Sequence, residues 1–140
     1  MAENVDYLFI GKSGAILLGY PGTTQDVDVF PAKTTENGLR IVTALGKSGF
    51  DIDEKSKSEI IRGKDFVQIK TGPFDLVLIF APDGIENYEE AKARAVHIGI
   101  FPVANLRDII ASKKACGRTK DRLDLHLLEL FRVEFEAHNT

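Results

Sequence analysis

Two aspartates, Asp26 and Asp28, lie two residues apart in the segment TTQDVDVFP, residues 23–31. Because Val27 and Val29 alternate with them, the segment predicts a strand that carries both carboxylates on one face. Two like charges this close repel each other unless a cation lies between them, and Mg²⁺ is held by carboxylates together with water and phosphate oxygens. The alternative explanation is a strand whose polar face meets water.

A third acid, Asp75, stands alone in the apolar segment FDLVLIF, residues 74–80. Burial of an unpaired carboxylate is costly, so its position needs a reason. An edge position or a helix cap would be sufficient. A neighbouring strand that brings Asp75 beside Asp26 and Asp28 would also explain it. Three carboxylates could hold two metal ions, or hold one ion while the third accepts a proton from an attacking hydroxyl.

The tetrapeptide GKSG occurs at residues 11–14 and again at residues 46–49. An ATP-binding P-loop requires a glycine five residues before the Gly-Lys pair, and those positions hold Asp6 and Ile41. The first copy follows the strand-like run VDYLFI and precedes an apolar helix, a junction that can offer N–H donors to an anion. The second copy ends a predicted helix, where glycine is common.

The remaining segments alternate between strand and helix patterns. Strands are predicted at residues 5–11, 23–31, 65–72 and 74–80, and helices at 13–20, 34–50, 87–99, 105–117 and 119–137. Apolar side chains at helical spacing are Leu39, Val42 and Leu45 in one helix, and Leu123, Leu127, Leu130 and Phe131 in the last. This order predicts an α/β (α+β) domain with a small mixed β-sheet flanked by helices.

Composition limits the class of protein. The 140 residues predict one domain, 1–140, with C-terminal helices from about 105 to 137. The net charge of −3 gives no overall basic field for nucleic acid, and one cysteine suits a reducing cytoplasm. We expect a cytoplasmic protein that does not bind membranes, because no apolar run approaches the ~20 residues of a membrane span.

The segment GKSGAILLGYPGTTQDVDVF, residues 11–30, resembles the polymerase-β-like nucleotidyltransferase superfamily. In that superfamily a strand ends in Gly-Gly or Gly-Ser, a helix follows, and a Thr-x-Asp-x-Asp strand comes next. Gly11, Gly19, Thr24, Asp26 and Asp28 have the matching spacing. Residues 105–129, NLRDIIASKKACGRTKDRLDLHLLE, are similar to a segment of small bacterial members, among them toxin components of abortive-infection toxin–antitoxin pairs.

This resemblance implies a nucleotidyltransferase-like fold and Mg²⁺- or Mn²⁺-dependent transfer of a nucleoside monophosphate from an NTP to a protein or RNA hydroxyl. Asp26, Asp28 and Asp75 would be the catalytic and metal-binding residues. The nucleotide would contact Gly11, Lys12, Ser13, Thr24, Lys113 and Lys120. The resemblance also implies an antitoxin partner. The acceptor would be held by the basic C-terminal helix, by a second subunit of a homodimer, or not at all.

Two positions depart from the superfamily pattern. Lys12 stands where a small residue is usual, and Gly22 stands where an arginine is frequent. Lys12 could supply the missing positive charge to the triphosphate, or it could pair with Asp26 and Asp28 and compete with the metal ion. A catalytically weak binding module on the same fold is therefore the alternative function. Similarly, the basic residues between 113 and 122 could line a phosphate site or pair with neighbouring acids on solvated helix faces.

Overall fold

The computed structural model describes residues 4–116 and 121–138. Within them, one sheet contains the strands β1 (Tyr7–Phe9), β2 (Asp26–Pro31), β3 (Phe66–Ile69), β4 (Asp75–Ile79), β5 (Val96–Ile98) and β6 (Phe101–Val103). The helices are α1 (Gly11–Leu17), α2 (Thr35–Lys47), α3 (Glu54–Arg62), α4 (Tyr88–Ala93), α5 (Leu106–Cys116) and α6 (Asp121–His138).

The strand order is β3-β4-β2-β1-β6-β5. The pairs β2–β4 and β1–β6 are parallel, and the pairs β3–β4, β1–β2 and β5–β6 are antiparallel. The sheet is thus mixed and flanked by helices, which confirms the predicted fold class. Each helix in the described part of the chain is too short or too polar for a membrane span.

Strand alternation divides the core between the two faces of the sheet. Val29 of β2 and Leu78 of β4 pack in one buried cluster with Ile41 of α2 and Ile60 of α3. On the opposite face, Phe30 packs in a cluster to which α1, α4, α5 and α6 contribute. Residues two apart in a strand share a face, so Asp26 and Asp28 lie on the same side as Phe30.

Gly38 shows why α2 and α3 can pack so closely. A Cβ atom on Gly38 would lie 2.7 Å from the Cα atom of Ile61, so only glycine permits this approach. Helix α2 starts three residues before this glycine, at Thr35, because the side chain of its N-cap residue, Thr34, accepts a hydrogen bond from the backbone N–H of Asn37.

Helical spacing identified the helices better than it identified their buried faces. In α2 the side chain of Leu39 is 52% exposed, whereas Ile41 is buried. In α6, Leu127 and Leu130 are largely exposed, and Leu128 is buried instead. Apolar residues occur on more than one side of both helices, so the packing partners select the buried face.

Three elements had no counterpart in the sequence prediction. Helix α3 is mostly polar, and its one buried side chain is that of Ile60. Strands β5 and β6 have three residues each and are joined through Gly99, whose φ angle is +62°. The predicted helix at 87–99 therefore ends at Ala93, and Val96–Ile98 of that segment form the edge strand β5.

Candidate functional site

Asp26 and Asp75 are the first residues of two adjacent strands, β2 and β4. Parallel pairing of β2 and β4 sets Asp26 directly opposite Asp75, and Asp28 opposite Val77. Directly paired residues project to the same face, and neighbouring strands lie about 4.8 Å apart. All three aspartates are half-buried. The backbone thus brings the predicted acids together on one face of two interior strands.

Asp28 lies against the end of strand β1. A Cβ atom on Gly11 would be 3.1 Å from the Asp28 Cγ atom and 3.2 Å from its Cβ atom. The φ angle of Gly11 is +62°, in the left-handed region that favours glycine. Glycine is therefore required at position 11 for two reasons. It permits the backbone turn into α1, and it leaves the space that the Asp28 side chain occupies.

Ser13 connects the first GKSG segment to the acid strand. Its hydroxyl donates to the backbone carbonyl of Ile10 at 3.0 Å and accepts from the backbone N–H of Asp28 at 3.0 Å. The residue is buried. Ser13 thus positions Asp28 through the backbone, a role that sequence reasoning missed because the bond joins residues 15 apart. Its predicted contact with nucleotide phosphates stays a prediction.

Thr24 organises the start of β2. Its exposed hydroxyl lies 3.1 Å from the backbone carbonyl of Asp26, to which it donates, and 3.4 Å from the Asp26 N–H. Such local bonds to the backbone two residues ahead stabilise a turn. Thr24 therefore stabilises the turn that immediately precedes Asp26, the first residue of β2.

Lys12 and Gly22, the two departures from the superfamily pattern, are neighbours in space. A Cβ atom on Gly22 would lie 3.4 Å from Cε and 3.9 Å from Nζ of Lys12. The end of the Lys12 side chain thus occupies space beside the loop that leads into β2. An ammonium group is therefore present next to the position where a side chain of residue 22 would begin.

The basic residues near the C-terminus are placed differently from one another. Lys113 is half-buried on α5, and Lys114 on the same helix pairs with Glu129 of α6 at 3.3 Å. Arg132 also contacts Glu129, at 3.0 Å, and the hydrogen bonds from Arg132 and then Lys114 hold the pKa of Glu129 below its usual value. Lys120, predicted to bind nucleotide, lies outside the described residues.

The carboxylates of the site are possible ligands of a metal ion. Within residues 4–116 and 121–138, no three or more carboxylate, imidazole or thiol groups are arranged to hold a metal ion. Mg²⁺, however, commonly takes one or two carboxylates from a protein and completes its shell with water and substrate phosphates. Two carboxylates on one strand face, Asp26 and Asp28, fit that donor set.

The fold has a counterpart among solved structures. The chain is similar to a proposed nucleotidyltransferase from Thermotoga maritima, with a TM-score of 0.54 and 14% sequence identity, over 88% of this chain and 81% of that chain. No protein-family model matches the sequence, and neither does any curated protein. The structural similarity confirms the nucleotidyltransferase-like fold expected from the sequence.

Proposed function

We propose that this chain is a metal-dependent nucleotidyltransferase that moves a nucleoside monophosphate from an NTP to a hydroxyl group of a protein or RNA. The observation that supports this proposal most strongly is the register of β2 and β4, which sets Asp26 directly opposite Asp75 with Asp28 on the same face. Two carboxylates beside a third, all half-buried, are suited to phosphoryl transfer, which depends on positioning and charge stabilisation.

In this proposal Asp26 and Asp28 would hold a Mg²⁺ or Mn²⁺ ion, which would neutralise charge on the phosphates of an NTP. Asp75 accepts the proton of the acceptor hydroxyl, whose oxygen forms a bond to the α-phosphorus. The bond from the α-phosphorus to the bridging oxygen breaks, and pyrophosphate leaves. Gly11 and Ser13 keep Asp28 in place, since one provides its space and the other binds its backbone N–H.

Lys12 is proposed to face the β- and γ-phosphates. Its ammonium group lies beside Gly22, at the loop that leads into the acid strand. A lysine can act there as a point charge for phosphate. If it instead paired with Asp26 and Asp28, its removal would strengthen metal binding, so the sign of the change in affinity separates the two roles.

The acceptor and the partners belong to the same proposal. Lys113 and Lys120 would supply positive charge for phosphate or for an RNA backbone. Alternatively, a second subunit would complete the acceptor site. A toxin-like activity, controlled by an antitoxin partner, follows from the sequence resemblance in residues 105–129.

The direct test is incubation of the purified protein with each of the four α-³²P-labelled NTPs and Mg²⁺ or Mn²⁺. Label should appear on the protein itself or on added RNA, and it should be lost in Asp26→Asn, Asp28→Asn and Asp75→Asn. An Asp65→Asn variant, which changes an exposed acid away from the site, serves as the control. Metal-dependent NTP binding without any transfer would support the alternative, a binding module on the same fold.

A further inference from the structure

A concave region lies at the carboxyl ends of β2 and β4. The acids Asp26 and Asp75 lie at the opposite, amino-terminal ends of the same two strands. After β2 the chain continues into α2, which packs on the face that contains Ile41 and Val29. After β4 it continues to α4, whose Ala91 packs on the other face. Where the connections of adjacent parallel strands leave to opposite faces, a crevice opens beyond their carboxyl ends, and such crevices bind ligands in α/β proteins.

A cavity of about 520 Å³ fills this crevice, within the ~300–1,000 Å³ typical of small-molecule sites. Its lining combines Phe30, Ile85 and the half-buried Tyr88 from one core cluster with Phe80 from the other, and it has charged groups at the rim. The rim carries one lysine, Lys33, and two acids, Asp83 and Glu86. An apolar base with few charged groups above it is the composition expected of a site for a small organic molecule.

The position of Lys33 is supported by the end of helix α3. Gly63 caps that helix with a φ angle of +72°, and a Cβ atom on it would lie 3.1 Å from Cε and 3.2 Å from Cδ of Lys33. The aliphatic part of Lys33 thus lies across Gly63. The second acid of the rim, Glu86, is bound by Arg94, which also binds the buried Asp108. Lys33 is therefore the cation that this cleft presents to a ligand.

We propose that this cleft binds a small organic anion with a planar ring, with the ring on the apolar base and the anionic group at Lys33. The site is separate from the acids, because Asp26 starts β2 whereas Phe30 lies near its end, and a strand rises about 3.3 Å per residue. The proposal does not depend on nucleotidyl transfer, so either can fail alone.

The test uses phenyl phosphate as the probe, with phenol and inorganic phosphate as its two separate parts. Titration into ¹⁵N-labelled full-length protein without divalent metal should shift the amide signals of residues 30–33 and 80–88. Phenyl phosphate should bind more tightly than either part. Lys33→Met should weaken it about fivefold, the effect of one ion pair at a partly exposed site. Asp83→Asn should strengthen it, since a like charge is removed from the rim.

Lys47→Met provides the matched control, because this exposed lysine lies at the opposite end of α2. The Lys47→Met and Asp26→Asn variants should both bind phenyl phosphate with the affinity of the wild type. Amide shifts confined to residues 11–28 would overturn the proposal. It would also be overturned if Lys33→Met and the wild type had equal affinities for phenyl phosphate and equal melting temperatures. Absence of shifts at millimolar probe would overturn it as well.

Discussion

The same four residues, GKSG, occur at two places in this protein and have different structures. Residues 11–14 begin helix α1 directly after strand β1, and Gly11 there has a φ angle of +62°. Residues 46–49 end helix α2, where Gly46 and Lys47 are helical and Gly49 has a φ angle of +93°. The left-handed glycine is thus the first residue of one copy and the last residue of the other.

The serines of the two copies differ even more. Ser13 is buried and bonded to the backbone of Ile10 and Asp28. Ser48 is exposed and occupies the C-cap of α2. The structure of each copy depends on the segment before it. The first copy follows a strand and lies in the core, whereas the second ends a helix and lies at the surface. The tetrapeptide alone therefore does not determine its local structure.

The largest expected difference is between Gly11→Ala and Gly46→Ala. A left-handed alanine costs about 1–2 kcal/mol, and its Cβ atom would overlap the Asp28 side chain, which adds about 1–3 kcal/mol. At Gly46 an added Cβ has no atom within 4 Å, and alanine should stabilise the helix by about 0.5–1 kcal/mol. Urea denaturation measures both changes. Equal signs for the two substitutions would contradict the structural difference between the copies.

The lysines provide the second difference. Lys12→Met should weaken binding of NTP with Mg²⁺ by about 1.5–3 kcal/mol, the range for a hydrogen bond to a charged group. Lys47→Met should leave binding unchanged, because α2 packs on the face of the sheet with Val29, opposite to the face that carries Asp26 and Asp28. Calorimetric titration with a non-hydrolysable NTP analogue measures the affinities. Tighter binding in Lys12→Met would assign Lys12 to the carboxylates instead of to the phosphates.

Ser13→Ala should destabilise the protein by about 1–2 kcal/mol, because it leaves the partly buried N–H of Asp28 without its acceptor. Ser48→Ala should change the free energy of unfolding by less than about 0.5 kcal/mol, as expected for an exposed position. Thermal denaturation of both variants beside the wild type measures the pair. Similar melting temperatures for the two variants would remove the positioning role of Ser13.

The sequence predicted strands that contain β1, β2, β3 and β4, and it predicted each described helix except α3. Asn105, where the predicted helix at residues 105–117 begins, accepts a hydrogen bond from the backbone N–H of Asp108 at 2.8 Å. It did not predict α3, whose few apolar residues give no clear periodicity, or the three-residue strands β5 and β6. Such short elements are stabilised by contacts with neighbouring elements that are distant in sequence, and these contacts cannot be read from the local sequence.

For the site, alternation along β2 was sufficient to place Asp26 and Asp28 on one face. The partner strand could be proposed from the isolated acid Asp75, but the register that sets it opposite Asp26 depends on the pairing of strands almost 50 residues apart, which only the folded chain defines. The contact between Gly11 and Asp28 and the position of Lys12 beside Gly22 likewise join separate segments.

A smaller effect is expected from the acids themselves. Like charges directly opposite each other on neighbouring strands are destabilising, by roughly 0.2–1 kcal/mol for such pairs. Asp75→Asn should therefore raise the free energy of unfolding of the metal-free protein by about that amount. Chemical denaturation in EDTA measures the change, and the gain should shrink at high salt. A loss of stability at low salt would argue against repulsion between Asp26 and Asp75.

The most direct test of the acid site is the thermal stabilisation produced by Mg²⁺ or Mn²⁺ together with a non-hydrolysable NTP analogue. A ligand that binds only the folded protein raises its melting temperature with concentration. We predict a concentration-dependent rise in the wild type and in Asp51→Asn, a control at an exposed acid just beyond the second GKSG copy. Asp28→Asn should show little or none. An equal rise in Asp28→Asn and the wild type would contradict the assignment of this site.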